Sequence, residues 1–127
     1  MFESASTHAM IAVKDLNRAK QFYGEKLGLT ILDERAGAAV RYQTQGETWF
    51  MIYTSENAGT AKSTSMKFEV KDIEVAVKEL RDRGVVFEEY DLPGAKIADA
   101  IYQHESGAKG AWFKDPDGNI LQVGQYS

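Results

Sequence analysis

Few side chains in this sequence could do chemistry by themselves. There is no cysteine, so a thiol nucleophile, a disulfide framework and a cysteine zinc site are all excluded. The histidines are His8 and His104, and no Ser-His-Asp arrangement accompanies either of them. The stretch "GAKGA" follows no phosphate-loop pattern. What remains is the chemistry of single imidazoles, carboxylates and amides, which can contact a ligand, move a proton or coordinate a metal ion.

The two histidines lie in different surroundings. His104 is within "IYQHESGAKG", which is rich in glycine and charged residues and is typical of a loop. We therefore expect a solvent-exposed His104. His8 precedes an apolar, alternating segment that is typical of a strand.

Composition limits the class of protein. The chain has 127 residues, of which 43% are apolar, enough for one compact domain with a core. The net charge of -4 is spread along the chain, which argues against nucleic acid as a partner. No apolar run approaches the roughly 20 residues of a membrane span, and "MFESASTHAM" does not resemble a signal peptide. We expect a cytoplasmic protein that does not bind membranes.

The second half of the sequence repeats the first. "HAMIAVKDLNRAKQFYGEKLGLTILDE" begins at His8, and "SMKFEVKDIEVAVKELRDRGVVFEEY" begins at Ser65. The "VKDL" that starts at Val13 corresponds to the "VKDI" that starts at Val70. This duplication predicts a single domain, 1–127, made of two modules, about 5–55 and 64–127, with a polar linker at 56–63.

Each module is predicted to have the order βαβββ, which makes the fold class α+β. Asp15 and Asp72 each follow a short strand and can cap a helix. Both helices have apolar residues at the spacing of one buried face: Leu16, Ala19, Phe22, Tyr23 and Leu27, then Ile73, Ala76, Val77 and Leu80. Segments rich in β-forming residues follow each helix, and "DPDG" at 115–118 is a turn between two of them.

The pairing of "HAMIAVKDLNRAKQFYGEKLGL" with "AWFKDPDGNILQV", over a βαβββ duplication, resembles the vicinal oxygen chelate superfamily. This superfamily includes glyoxalases, bleomycin-resistance proteins and extradiol dioxygenases, and the resemblance covers nearly the whole chain. It implies two mixed sheets curled into a cup around a pocket, with the helices outside. It also implies a homodimer, because related proteins commonly pair modules across chains and exposed sheet edges favour coverage.

Metal-using members of this superfamily place four ligands on the first and fourth strands of the modules. By that pattern the positions in this sequence are His8, Met51, Ser65 and Gln122. A catalytic transition metal needs about three protein ligands, usually imidazoles with a carboxylate. One imidazole and one neutral amide do not supply them, so we expect no metal cofactor. The alternative is a divalent ion (Zn, Ni, Mn or Fe) on His8, Gln122 and a carboxylate such as Glu69 or Glu47.

Alternation along the strands assigns further side chains to the pocket. If His8, Ser65 and Gln122 face the cup, Ile11 and Val13 face the helix. The predicted ligand-binding residues are then His8, Met10, Trp49, Met51, Tyr53, Ser65, Lys67, Glu69 and Gln122. Two alternatives remain: Lys67 and Glu69 could form a solvent-exposed ion pair, and Trp49 and Tyr53 could belong to the core.

Trp112 and Tyr102 are assigned to neither face, because the irregular stretch 91–110 interrupts the alternation. That stretch is long for a connection and could cover the pocket.

The aromatic and thioether walls predict a pocket for an amphipathic or aromatic organic molecule. The leading interpretation is a small-molecule-binding protein of the glyoxalase and bleomycin-resistance type whose metal site is degraded. The alternative is a metal-dependent lyase or dioxygenase of the same superfamily that uses His8 and Gln122. A metal-free enzyme with an acid or base in the pocket also remains open, because this fold supports several unrelated functions.

Overall fold

The computed structural model of the protein describes residues 2–92 and 95–126. In its first half the elements are β1 (Met10–Val13), α1 (Leu16–Lys20), a π-helical continuation of α1 (Gln21–Lys26), β2 (Thr30–Arg35), β3 (Ala39–Gln43) and β4 (Trp49–Thr54). In its second half they are β5 (Thr64–Glu69), α2 (Ile73–Asp82), β6 (Phe87–Glu88), β7 (Lys96–Ala98), β8 (Ile101–Gln103), β9 (Lys109–Lys114) and β10 (Ile120–Gln125). The predicted α+β class is confirmed. No helix in the described ranges is long and apolar enough to cross a membrane.

The strands in these ranges form two mixed sheets that do not close into a barrel. The first sheet has the order β1-β4-β3-β2, with β1 parallel to β4. The second has the order β5-β10-β9-β8-β7, with β5 parallel to β10 and the short β6 also paired to β9. Each sheet therefore places the opening strand of its half of the chain at one edge, beside the strand that closes that half.

The second half contains a hairpin that the sequence analysis did not predict. β7 and β8 lie within the stretch 91–110, and β8 pairs with β9, so this hairpin extends the second sheet at its edge. Its turn residues, Asp99 and Ala100, both have positive φ, 54° and 64°. Pro93 and Gly94, in the same stretch, lie outside the described residues.

The predicted helix caps are confirmed. Asp15 accepts a hydrogen bond from the Arg18 amide at 3.1 Å, and Asp72 accepts one from the Val75 amide at 3.2 Å. The first helix does not stay α-helical to its end, because the Leu27 amide donates to the Phe22 carbonyl five residues earlier. Phe22 and Tyr23 lie in this π-helical part and are both buried.

Both halves of the chain contribute to one hydrophobic core. Ile11 and Val13 of β1 are 2% and 0% exposed, as the alternation predicts. Met10, which precedes Ile11 and points to the opposite face, is 53% exposed. Across the modules, Phe22 lies 6.2 Å from Phe113 between ring centroids. The helices therefore cover one face of each sheet, and the opposite faces, which we call the open faces, carry the candidate site residues.

The turn 115–118 does more than reverse the chain. Asp115 is buried, and its carboxylate accepts hydrogen bonds from the Tyr23 hydroxyl and from the amides of Asp117 and Asn119, at 2.8–2.9 Å. Asp117 accepts from the Lys14 amide at 3.1 Å and forms an ion pair of 2.9 Å with Arg18. The turn thus docks the second module onto the N-terminal part of α1.

Candidate functional site

The open face of the first sheet holds a row of stacked and paired side chains. The rings of His8 and Trp49 lie 3.5 Å apart and 13° from parallel, and the Arg41 guanidinium lies 4.8 Å from the centre of the Trp49 ring. Arg41 in turn donates to Asp33 at 2.7 Å and lowers the pKa of that carboxyl. Because β4 lies between β1 and β3, His8 and Arg41 flank Trp49 from opposite sides. The indole of Trp49 is therefore already engaged by the chain's own groups.

Hydrogen bonding fixes the tautomer of His8. Its Nδ1 lies 2.9 Å from the Trp49 carbonyl oxygen, which can only accept, so Nδ1 carries the proton. In the neutral ring Nε2 is then the acceptor, and the Ser6 hydroxyl at 3.2 Å is placed to donate to it.

Sulfur and aromatic side chains continue this face along β1 and β4. Met10 lies opposite Met51, and Ala12 lies opposite Tyr53. Met51 and Tyr53 are half-buried. Met51 also lines a cavity of about 340 Å³ with Asp33 and Arg41. These contacts give the first sheet an apolar strip beside the Arg41–Asp33 ion pair.

The open face of the second sheet is centred on Trp112, a residue that sequence reasoning missed. Trp112 lies opposite Gln122 on one neighbouring strand and opposite Glu88 on the other. The rings of Tyr90 and Tyr102 stand nearly perpendicular to it, at centroid distances of 6.0 and 5.4 Å. Its position could have been found from the "DPDG" hairpin, since that register places Trp112 on the same face as Gln122.

Two facing glycines lie beside Trp112 on this face. Gly110 of β9 pairs with Gly124 of β10. A methyl group on Gly110 would lie 2.5 Å from Gln122 Nε2, and one on Gly124 would lie 3.0 Å from Lys67 Cδ. The side chains of Gln122 and Lys67 therefore lie over backbone that has no side chain of its own.

The polar end of this face is an ion pair with an aromatic partner. Lys67 lies 3.0 Å from Glu69 and donates to the Tyr126 hydroxyl at 3.1 Å, with its ammonium 4.2 Å from the Tyr126 ring centre. The hydrogen bond to Tyr126 is the main cause that raises the pKa of Lys67, followed by the hydrogen bond to Glu69. Both charged side chains are about one-third exposed. Ser65, on the same strand, is exposed.

The nine predicted ligand-binding residues thus form two groups, one on each open face. Trp49, Lys67 and Glu69 come from both groups and line one cavity of about 490 Å³ at the junction of the modules, together with Thr44 and Thr48 of the β3–β4 turn. His104 belongs to neither group. It is exposed in the β8–β9 loop, where it contacts Ser106, as the sequence predicts.

Among the predicted ligand-binding residues on these faces, the usual transition-metal ligands are the imidazole of His8 and the carboxylate of Glu69. Residues 2–92 and 95–126 contain no group of three histidine, cysteine or acidic side chains placed to hold a metal ion. His8 and Gln122 lie on different sheets. The carboxylate of Glu69 is engaged by Lys67 and by the Tyr126 amide, and Glu47 is exposed in the β3–β4 turn.

Two buried tyrosine hydroxyls have raised pKa values. Burial raises the pKa of Tyr23, with the neighbouring Asp115 carboxylate as a further cause. Burial also raises the pKa of Tyr42 to about 12. Both belong to the core and not to the open faces.

Comparison with known proteins agrees with this architecture. The family model described as Glyoxalase/Bleomycin resistance protein/Dioxygenase superfamily matches residues 5–123. No curated protein matches the sequence significantly.

Solved structures share the fold at low identity. They include the antibiotic-binding protein TnmS3 from a Streptomyces species (22% identity, TM-score 0.67, 98% of each chain covered) and a glyoxalase family protein from Enterococcus faecalis (24%, 0.69, 98% of this chain and 99% of that one). A fosfomycin resistance protein from Mesorhizobium loti is 13% identical, with a TM-score of 0.65 over 98% of this chain and 93% of that one. The chain belongs to the glyoxalase/bleomycin resistance protein/dioxygenase superfamily, as its resemblance to vicinal oxygen chelate proteins predicted.

Proposed function

We propose that this protein binds an amphipathic organic molecule with a planar aromatic part, on the open face of the second sheet and without a catalytic metal ion. The observation that carries the proposal is the position of Trp112, between two perpendicular tyrosines and next to the glycine pair. A planar ligand could stack on one of these rings while the perpendicular rings contact its edge. The glycine backbone beside them has no side chains that would block its approach. The ion pair of Lys67 and Glu69 supplies a polar end for the same ligand.

The side chains over the glycine pair favour binding of a ligand at this place. Gln122 and Lys67 are long and flexible, and they fill the space above Gly110 and Gly124. A planar ligand would displace their ends and approach the backbone, and the Gln122 amide could then bond to it. We expect Trp49 to contribute less, because His8 and Arg41 already cover its ring.

The names of two structures with this fold are compatible with a small molecule as ligand, although another such structure is named as a lactoylglutathione lyase. One relative is described as an antibiotic-binding protein, and another as a fosfomycin resistance protein. The donor set described above favours binding over metal-dependent catalysis, since its carboxylate, Glu69, is already engaged by Lys67 and the Tyr126 amide.

Tryptophan fluorescence tests this proposal with two probes, the amphipathic dye 1-anilinonaphthalene-8-sulfonate and bleomycin. Trp112→Leu should weaken binding of at least one probe by on the order of ten-fold, because the indole ring that contacts the ligand is removed. The matched variant Trp49→Leu should change the affinity by less than about two-fold. Equal affinities in the wild-type protein and Trp112→Leu would place the ligand elsewhere.

We also propose that the protein is a homodimer. Large apolar side chains are exposed on both sheets, including Met10, Leu32 and Ile97 at 53%, 44% and 47%. Light scattering at micromolar concentration should give twice the 14.1 kDa of one chain. A mass of one chain would contradict it.

A further inference from the structure

A second cavity lies on the other side of the second sheet, away from the open face. Its volume is about 200 Å³, and it is lined by apolar side chains, among them Leu27, Phe68, Val70 and Leu80. Phe68 and Val70 point to the face opposite Lys67 and Glu69, because neighbouring side chains on a strand point to opposite faces. Trp112 does not line this cavity, although the cavity shares Phe68 and Val70 with the one at the junction of the modules.

The internal repeat explains why the cavity exists. The helix caps Asp15 and Asp72 lie 57 residues apart, and at the same offset Phe22 and Tyr23 correspond to Glu79 and Leu80. In the first module those two aromatic rings are 7% and 0% exposed and cover the sheet. The second helix has a carboxylate and a smaller aliphatic side chain at these positions, so its sheet is covered less completely.

The strands show the same difference. Ile11 and Val13 are buried in the first module, whereas their counterparts Phe68 and Val70 are partly exposed. The volume left by the missing aromatic rings thus opens to solvent beside α2.

Size and charge identify what the cavity can hold. An engineered apolar cavity of about 150 Å³ is known to bind benzene, so about 200 Å³ accommodates one aromatic ring with a short substituent. Glu79 is the charged residue among those that line the cavity, and it is exposed at the opening. Within residues 2–92 and 95–126 its carboxylate has no ion pair or hydrogen bond, whereas Glu74 on the same helix pairs with Lys109.

We propose that this cavity is a second binding site that takes one small aromatic amine, with the ring between the modules and the ammonium group at Glu79. Burial of the ring supplies most of the affinity, because the walls are apolar. The carboxylate selects a cation over a neutral group of the same shape, by the modest factor expected of a partly exposed ion pair.

An NMR titration of the whole protein with 2-phenylethylamine tests this site, with neutral 2-phenylethanol as the matched probe. The amine should shift the methyl signals of Leu27, Val70 and Leu80 and leave the indole signal of Trp112 in place. It should bind roughly three-fold more tightly than the alcohol. Shifts centred on Trp112, or equal affinities for the two probes, would overturn the proposal.

Two variants separate the contributions of charge and volume. Glu79→Gln should remove the preference for the amine, whereas Asp82→Asn, which removes a carboxylate that pairs with Lys78 on the same helix, should keep it. Leu80→Phe should fill the cavity and weaken both probes by at least about ten-fold. If Leu80→Phe does not fold, the pair Glu79→Gln and Asp82→Asn decides the question alone, and a preference that survives in Glu79→Gln refutes the site.

Discussion

Tyr23 donates a hydrogen bond of 2.8 Å to Asp115, and through it the helix of the first module is joined to the turn between β9 and β10. The two residues lie 92 positions apart in the chain, and both are buried. A phenol in this place stays protonated well above its usual range, because burial and the nearby carboxylate disfavour its anion. The stability of the protein should therefore depend on alkaline pH.

The first prediction concerns that dependence. Unfolded tyrosines release their protons near pH 10, whereas the raised pKa values of Tyr23 and Tyr42 keep the folded phenols protonated. Above pH 10 the unfolded chain binds fewer protons than the folded one, so the free energy of unfolding falls as pH rises. Each tyrosine should contribute a slope of up to about 1.4 kcal/mol per pH unit. Urea unfolding from pH 8.5 to 11.5 measures the slope, and Tyr23→Phe should make it shallower. An unchanged slope in this variant would contradict the prediction.

The second prediction concerns the contact between the linker and the turn. Gly59 and Gly37 have the same φ of 72°, but a methyl group on Gly59 would lie 1.8 Å from the Asp117 carbonyl oxygen, whereas one on Gly37 would meet nothing within 4 Å. Gly37→Ala should cost about 1 kcal/mol of unfolding free energy for the left-handed backbone alone. Gly59→Ala should cost at least about 2 kcal/mol more, because the backbone must move. Thermal unfolding of the two variants compares them directly, and equal losses would show that the linker does not pack against the turn.

The third prediction compares an ion pair that has one buried partner with an ion pair that is exposed on both sides. The side chain of Asp117 is 1% exposed, so Arg18→Ala leaves a buried carboxylate without its cation. We expect a loss of about 2 kcal/mol in unfolding free energy. Lys78 and Asp82 form an ion pair in which both partners are mostly exposed, so Lys78→Ala should cost less than about 0.5 kcal/mol. Chemical denaturation at low and moderate salt measures both losses. A loss for Arg18→Ala that is no larger than the loss for Lys78→Ala would show that docking through Asp117 is unimportant.

The fourth prediction concerns metal ions. The wild-type protein should bind Zn²⁺, Ni²⁺ and Mn²⁺ weakly or not at all in calorimetric titrations at neutral pH, because the positions His8, Met51, Ser65 and Gln122 hold one imidazole and no carboxylate. Gln122→Glu should bind on the order of ten-fold more tightly than wild type, since a carboxylate adds both charge and donor oxygens. Tight stoichiometric binding by the unmodified protein would instead favour the metal-dependent lyase or dioxygenase.

Much of the fold could be predicted because helix caps and strand alternation depend on residues that are close together in the sequence. Asp15 and Asp72 mark the helix starts, and the alternation around Ile11 and Val13 identifies the buried face of β1. The β7–β8 hairpin could not be predicted in this way. Its turn residues, Asp99 and Ala100, adopt positive φ without a glycine, whereas the usual signal for such a turn is Asn-Gly or Asp-Gly.

The sequence predicts which sheet face carries the candidate site residues better than it predicts the contacts among them. Alternation placed Lys67 and Gln122 on an open face, where the structure has them. It gave no hint that His8 would stack on Trp49, because a ring contact between strands depends on register and not on spacing along the chain. The irregular stretch 91–110 interrupts the alternation before Trp112, whereas the β9–β10 turn pairs Trp112 with Gln122 and so identifies its face.

The turn 115–118 also affects the rate and order of folding. The hydrogen bonds of Asp117 with Lys14 and Arg18, and that of Asn119, which follows the turn, with the Ala12 carbonyl, join residues 103, 99 and 107 positions apart. Contacts of such long sequence separation require a large loop to close before any interaction compensates for the lost entropy, and they slow folding. On the ribosome, the first helix emerges long before residues 113–119 are made, so Tyr23 lacks its partner Asp115 and Phe22 lacks its contact with Phe113 until then. We therefore expect the first helix to reach its native packing only after residue 119 has emerged, and its apolar face is open to aggregation until then.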